Sequence, residues 1–223
     1  MNQELQETLR RGLDELDLDA PRLLPRLKLY FSELLLWNPK LGLLEADETE
    51  IITKHFLDCA AGIGVLRSIA DQIIQDRDID REGDALRLVD LGSGAGLPGV
   101  IIAMILSEDI NLEVHLVEKQ QRRCGFLRNI VPILGLNDVV SIHQKNFQEI
   151  PGKFDIVTSR AFRNLNGEQL ALQRALLVPG GRIAAYKGRA ETIEAEMGPE
   201  FRAADLIPLK VPGLEDERHM VVL

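Results

Sequence analysis

The residues best suited to do chemistry sit in one run, Asp90-Leu91-Gly92-Ser93-Gly94-Ala95-Gly96-Leu97-Pro98-Gly99. An apolar stretch ends in a carboxylate, turns on three alternating glycines and passes into the apolar segment Val100-Ile101-Ile102-Ala103-Met104-Ile105-Leu106. Glycine has no Cβ, so such a turn bends sharply and leaves bare backbone against which a ligand can lie. Pro98 suits the first helical position, where its missing N–H removes no hydrogen bond. A second carboxylate, Glu118, closes a later apolar stretch, and Arg160 closes another. In open α/β sheets, strand ends of this kind face the crevice where ligands bind.

Two ligands compete for the cradle. Gly94-Ala95-Gly96-Leu97-Pro98-Gly99 matches the dinucleotide fingerprint, and Glu118 follows at the spacing of a ribose-binding acid. Asp90 argues the other way, because a carboxylate beside a pyrophosphate opposes the anion that a helix N-terminus would otherwise attract. S-adenosylmethionine carries a sulfonium and an ammonium group instead, both of which a carboxylate favours. On that reading Gly92, Gly94 and Leu97 line the methionine end of the cofactor and Asp90 lies near its ammonium group. Glu118 then accepts from both ribose hydroxyls; its alternative is a capping carboxylate beside Lys119.

These side chains need elements to hold them. Leu5, Leu9, Leu13 and Leu16 recur at helical spacing over residues 2–17. A second helix follows Pro21 with an apolar side running from Leu23 to Trp37, and Asn38-Pro39 is expected to stop it, leaving 38–46 as loop. A third begins near Asp47 and carries Ile51, Ile52, His55, Phe56 and Cys59, and the charged stretch 68–85 reads as a surface connection with a helical piece. From residue 86 the pattern alternates. Strands are expected at 86–91, 112–118, 138–143, 154–159 and 181–187, and helices near 98–107, 120–134 and 166–177. Residues 206–211 and 219–223 flank Pro212-Gly213 and read as an antiparallel hairpin. The expected fold is α/β: a Rossmann-like, mostly parallel sheet of the class I methyltransferase kind, closed by a C-terminal antiparallel hairpin and preceded by an N-terminal helical lobe. The expected division is a lobe over 1–85 and the methyltransferase domain over 86–223. A dehydrogenase would need a further substrate domain.

With 45% hydrophobic and 27% charged residues, the 223-residue chain composes as a globular protein with a sizeable core. No apolar run reaches the roughly 18 residues that span a bilayer, so no membrane association is expected. Met1-Asn2-Gln3-Glu4-Leu5-Gln6 lacks the basic and apolar regions of an export signal, which points to the cytoplasm. Cys59 and Cys124 stand far apart without metal-ligand spacing, so reduced thiols and no metal are expected. The net charge is −9, yet residues 86–189 carry 13 Lys/Arg against 9 Asp/Glu and are the only basic segment. That asymmetry permits a phosphate-binding face on an acidic protein.

The chain resembles the RsmG (GidB) family, bacterial 16S ribosomal RNA guanine-N7 methyltransferases. The resemblance runs nearly the whole length, through Trp37-Asn38-Pro39-Lys40, His55-Phe56-Leu57-Asp58, the Asp90–Gly99 loop, Lys119, Arg122-Arg123 with Phe126-Leu127, Ser159-Arg160-Ala161-Phe162, Lys187-Gly188 and Glu217-Arg218-His219. It departs from the family's pattern at Gly42-Leu43-Leu44, Cys59 and Gln148.

The resemblance implies methyl transfer from S-adenosylmethionine, leaving S-adenosylhomocysteine, to N7 of one guanine in 16S rRNA of the small subunit. That nitrogen holds an in-plane lone pair and no proton, so it attacks without a general base, and alignment supplies most of the rate. The chain also lacks the Asn/Asp-Pro-Pro-Tyr/Phe segment used on amines, and neither cysteine ends a strand as Pro-Cys. By resemblance Phe147 and Gln148 lie at the adenine, the alternatives being plain core for Phe147 and a solvated loop residue for Gln148, and Arg160 acts at the cofactor or the target guanine. Its guanidinium suits the methionine carboxylate or guanine O6; the alternative is a salt bridge to Asp155 or Asp90. Arg122, Arg123, Arg163 and Lys187, with Arg128 and Arg189 behind them, are the candidate RNA contacts. His55 and Asp58 read equally as a packed pair or as substrate contacts, and Arg218 as a partner of Glu217 or Asp216. A monomer is expected.

Overall fold

The computed structural model describes residues 1–76, 85–160 and 165–223. Helix α1, Gln3–Glu15, starts where Asn2 Oδ1 accepts from Leu5 N, and buries Leu5, Leu9 and Leu13. Helix α2, Ala20–Leu41, is capped by Asp19 and runs through Pro39 rather than stopping at it. Pro39 falls in the last turn, so it removes a single ladder bond, and the helix ends at Gly42 in the left-handed conformation with its N–H on the Asn38 carbonyl. The loop that follows is tied down by the Asn38 side chain, which accepts from Leu44 N at 2.8 Å and donates to Leu44 O at 2.9 Å.

Asp47 and Glu50 form a reciprocal capping box at α3, Glu48–Glu50. The chain then winds as a π-helix over Ile51–Leu57 and continues as α4, Asp58–Ala61, and α5, Ile63–Asp76. Wide turns of this type often occur at functional sites, and here the segment carries His55 and leads into Asp58. Residues 68–76 are the expected helical piece, the end of α5, with Ile69, Ala70 and Ile73 buried against the core and Ser68, Asp71 and Gln72 exposed; residues 77–84 of that stretch lie outside the described residues.

The sheet has seven strands in the order β3-β2-β1-β4-β5-β7-β6. They are β1 Leu86–Leu91, β2 Leu112–Val117, β3 Val140–His143, β4 Phe154–Arg160, β5 Leu177–Lys187, β6 Asp205–Pro208 and β7 His219–Val222. The first five pair in parallel, while β7 pairs antiparallel with both β5 and β6. Helices α6 Gly99–Leu106, α7 Gln121–Ile133 and α8 Gly167–Arg174 connect the parallel strands. Helix α9, Ala190–Met197, was not anticipated: only Ile193 and Met197 face inward, too thin a stripe to stand out as a period.

Every residue of α6 is buried, as an all-round apolar helix demands. It is pressed between β2 and helices α4 and α5, within one core that also takes side chains from α1, α2 and α7. A second core on the opposite face packs α8 and α9 against Val89, Val157 and Ile183. The strand order reverses between β1 and β4, where Leu91 sits opposite both Val117 and Ser159. The carboxyl ends of β1, β2 and β4 therefore open into one crevice.

Candidate active site

The turn after β1 holds Gly94 at φ +56° and Gly96 at φ +93°, backbone that side chains rarely adopt. A Cβ on Gly96 would also meet Tyr30 Oη at 3.0 Å. Several hydrogen bonds pin this turn from below. Gly92 N and Ser93 N donate to the Val117 carbonyl at 2.9 and 3.0 Å, and Gly94 N donates to Glu118 Oε2 at 3.1 Å. Tyr30 Oη, reaching in from α2, donates to the Ala95 carbonyl at 2.5 Å. Pro98 takes the cap position and the helix itself begins at Gly99.

Asp90 is fully buried beneath the turn, where Oδ2 accepts from Gly99 N at 3.0 Å and so caps α6. Burial pushes its pKa up to about 6, against the opposing pull of the Gly99 N–H and Ser93. Its Oδ1 is buried without a hydrogen-bond partner.

A cleft of about 460 Å³ opens above the turn, lined by Gly92, Glu118, Arg123, Lys145, Phe147 and Arg160 among others. Glu118 is 4% exposed; Oε1 accepts from Gln120 N at 2.8 Å, Oε2 from Gly94 N, and Arg123 lies 3.8 Å away. A carboxylate has about four acceptor positions, so about two remain for a ligand. Phe147 lines the cleft while packing against the second core.

The other sequence-derived candidates lie elsewhere. Leu97 is in the core and Gln148 is exposed off the cleft wall, whereas Gly94 borders the cleft, with its N–H on Glu118 and Arg123 beside it. Arg122 is exposed on α7, and Arg163 lies outside the described residues. Lys187 is at the end of β5, paired with Glu196 at 2.6 Å. Lys145, Asn146 and Gln169 line the cleft without having been singled out, and Tyr30 supports its floor. Only the position of Lys145 and Asn146 just past a strand end marked them; nothing local marked Tyr30.

Arg160 meets neither Asp155 nor Asp90 by hydrogen bond. Its Nη1 donates to the Lys54 carbonyl at 3.1 Å and to Asp58 Oδ2 at 3.2 Å, and its Nη2 reaches His55 Nδ1 at 2.7 Å. Burial and the facing guanidinium push His55 down to about 4, so near neutrality it is an uncharged acceptor. Burial raises Asp58 in opposition to Arg160 and to Arg218, whose Nε lies 3.3 Å from Oδ1; Asp216 is a more distant partner of Arg218 at 3.7 Å. Guanidinium carries five N–H donors, so two on Arg160 remain unspent. Beyond Arg160 a second cleft, about 540 Å³, runs past His55, Asp58, Lys187 and Arg218. Arg160 is a wall of both clefts.

Cys59 and Cys124 are buried free thiols; burial pushes Cys59 up to about 12, and Cys124 Sγ donates to the Glu118 carbonyl at 3.1 Å. Neither is a nucleophile in that state. Among the described residues no His/Cys/Asp/Glu group is placed to hold a metal, and no helix is long and apolar enough to cross a membrane.

The sequence model of one family, rRNA small subunit methyltransferase G (GidB), matches residues 23–221. The chain belongs to this family. Among members of the rRNA small subunit methyltransferase G family, the protein of that name from Laribacter hongkongensis is 37% identical over 226 residues, covering 98% of each chain. That from Xanthomonas campestris pv. campestris (strain B100) is 33% identical over 223 residues, covering 99% of this chain and 95% of the relative. Among solved structures, the human methyltransferase 10 domain containing protein superposes with a TM-score of 0.54 at 13% identity, covering 88% of this chain and 96% of that one. At that identity the likeness is one of fold alone.

Proposed function

We propose that the chain transfers the methyl group of S-adenosylmethionine to N7 of a guanine in the 16S rRNA of the small ribosomal subunit, acting as a cytoplasmic monomer. Family membership supports the rRNA substrate, and the two clefts that share Arg160 carry the mechanism. In this reading residues 1–85 form a helical lobe packed on the methyltransferase domain, 86–223.

The cleft above the glycine turn fits the donor. Its 460 Å³ is within the roughly 300–1,000 Å³ of small-molecule sites. Glu118 retains acceptor positions for two ribose hydroxyls, and Phe147 offers an apolar face for adenine. Asp90, ionised above a pH of about 6, sets negative charge beneath the turn, which suits a cation and opposes a diphosphate. When bound, the donor supplies an electrophilic methyl group on a sulfonium.

The chain's own residues then align and shield. Arg160 is held rigid by Asp58, His55 and the Lys54 carbonyl, with two donors left to orient a carboxylate or a carbonyl oxygen. An acceptor that had to lose a proton would need a base titrating near neutrality. His55 sits at about 4 with Nδ1 committed to Arg160, which fits an acceptor carrying no proton. Arg123 and Lys145 at the cleft, together with Arg122 and Arg163, are the cations proposed to meet RNA phosphates.

Calorimetry with S-adenosylhomocysteine, and primer extension across 16S rRNA from a deletion strain after borohydride and aniline cleavage, test this reading. Binding of the homocysteine and disappearance of one cleavage stop are expected. An unchanged stop pattern, or binding of NAD in place of the homocysteine, overturns it.

A further inference from the structure

The second cleft contains a side chain to which the reading above gives no task. Four carboxylates line it: Glu45, Glu50, Asp58 and Glu196. Three are spent inside the protein. Glu50 holds Lys54 at 2.7 Å and its own capping box, Asp58 is shared by Arg160 and Arg218, and Glu196 holds Lys187. Glu45 is exposed and has no hydrogen-bond or ion-pair partner among the described residues. Its backbone is nonetheless fixed, because the preceding residue, Leu44, is bonded through both its N–H and its carbonyl to the Asn38 side chain.

An unpaired carboxylate on a fixed loop, in a cleft whose other carboxylates are committed, is free to accept from neighbouring N–H donors on a ligand. Of the four RNA bases, only guanine presents two adjacent donors, N1–H and N2–H, on its Watson–Crick edge. Adenine N1 and cytosine N3 would turn a lone pair toward the carboxylate, and the single N–H of uracil is flanked by two carbonyl oxygens. Read around the guanine ring, the groups come in the order N2, N1, O6, N7. The protein offers a matching order: the cleft of Glu45, then Arg160 as the shared wall, then the cleft above the glycine turn.

Resting on the methyl-transfer reading, we propose that the second cleft receives the target guanine, flipped from its stack, and that Glu45 is its specificity-determining residue. Glu45 accepts from N1–H and N2–H, Arg160 donates to O6, and N7 is thereby turned toward the glycine-turn cleft. Enzymes that modify a base commonly take it out of the stack and read its Watson–Crick edge in this way.

The test pairs two RNAs with two proteins. Small-subunit rRNA fragments carrying guanosine or inosine at the target are compared; inosine keeps N7, O6 and N1–H and lacks the N2 amino group. The intact chain is assayed as wild type and as Glu45→Ala, with Glu45→Gln as the isosteric second variant. Wild type should prefer guanosine in kcat/KM by roughly 10- to 150-fold, the loss of the one hydrogen bond from N2–H to a charged acceptor. In Glu45→Ala that preference should collapse to within about twofold, and fluorescence anisotropy of the same RNAs with S-adenosylhomocysteine present should lose the same preference without any turnover. Affinity for the homocysteine alone should be unchanged in both variants. Undiminished discrimination by Glu45→Ala overturns the pocket while leaving the rRNA reading standing. Absence of methyl transfer to the guanosine RNA by wild type overturns that reading, and the pocket with it.

Discussion

Replacing Tyr30 by Phe tests how the N-terminal helices support the site. Tyr30 is wholly buried, its ring stacked on Phe56 at 5.2 Å and Phe126 at 6.5 Å, and its hydroxyl donates to the Ala95 carbonyl in the middle of the glycine turn. Burial raises the phenol well above its ordinary pKa, so it stays a donor throughout the working range. Phe keeps the ring and its stacking and deletes only the donor. The Ala95 carbonyl is then left buried and unpaired, a loss of about 1–3 kcal/mol. For a chain of 150–250 residues each kcal/mol moves Tm by about 2–4 °C, so Tm should fall by about 2–12 °C. Part of the loss should reappear as weaker S-adenosylhomocysteine binding, because the ligand must then order a looser turn. Differential scanning calorimetry with and without the homocysteine measures both effects. A Tm within about a degree of wild type, with unchanged affinity, would refute the claim that α2 props the turn.

Three further outcomes follow from the same geometry. Asp90 has its folded pKa raised from 3.8 to about 6 by burial, so its contribution to stability is full below a pH of about 4 and is lost as pH rises through about 6, a swing of roughly 3 kcal/mol. Asp90→Asn keeps an acceptor for Gly99 N and cannot titrate, so wild-type stability should fall relative to the variant by that amount between pH about 4 and 7; a difference flat in pH in urea melts would refute the shift. Gly99→Ala sets a Cβ 2.8 Å from Asp90 Oδ2 and against Leu116, and should destabilise by about 1–3 kcal/mol or more, read from the urea midpoint. Arg160→Ala should abolish methyl transfer to rRNA while circular dichroism stays native, since Arg218 still faces Asp58; wild-type turnover would remove Arg160 from the site.

Legibility of this chain follows the range over which its causes act. The glycine turn, the apolar strands that feed it and the solid apolar helix after it are written in neighbouring residues, because steric demands and burial period act within a few positions. Glu118 and Arg160 could be placed at strand ends for the same reason, and the parallel order of the strands brings those ends together. Helix boundaries were less legible where one signal outweighs another. Pro39 reads as a stop, yet in a last turn it removes too little to end a helix that Gly42 ends better.

What no window of sequence contains is the choice of partner. Arg160 finds Asp58, His55 and the Lys54 carbonyl from 102 to 106 residues away, and Tyr30 finds Ala95 from 65. Asp90 was legible as an acid at a strand tip, but only the packing of α6 over it decides that it caps Gly99 from a fully buried position. The sequence by itself determined most of the elements, α9 excepted, and the crevice where they converge, because those obey local sterics and periodicity. The tertiary structure alone decided which charges are spent on each other and which remain free for a ligand, because burial and hydrogen-bond pairing are settled by contacts between distant segments.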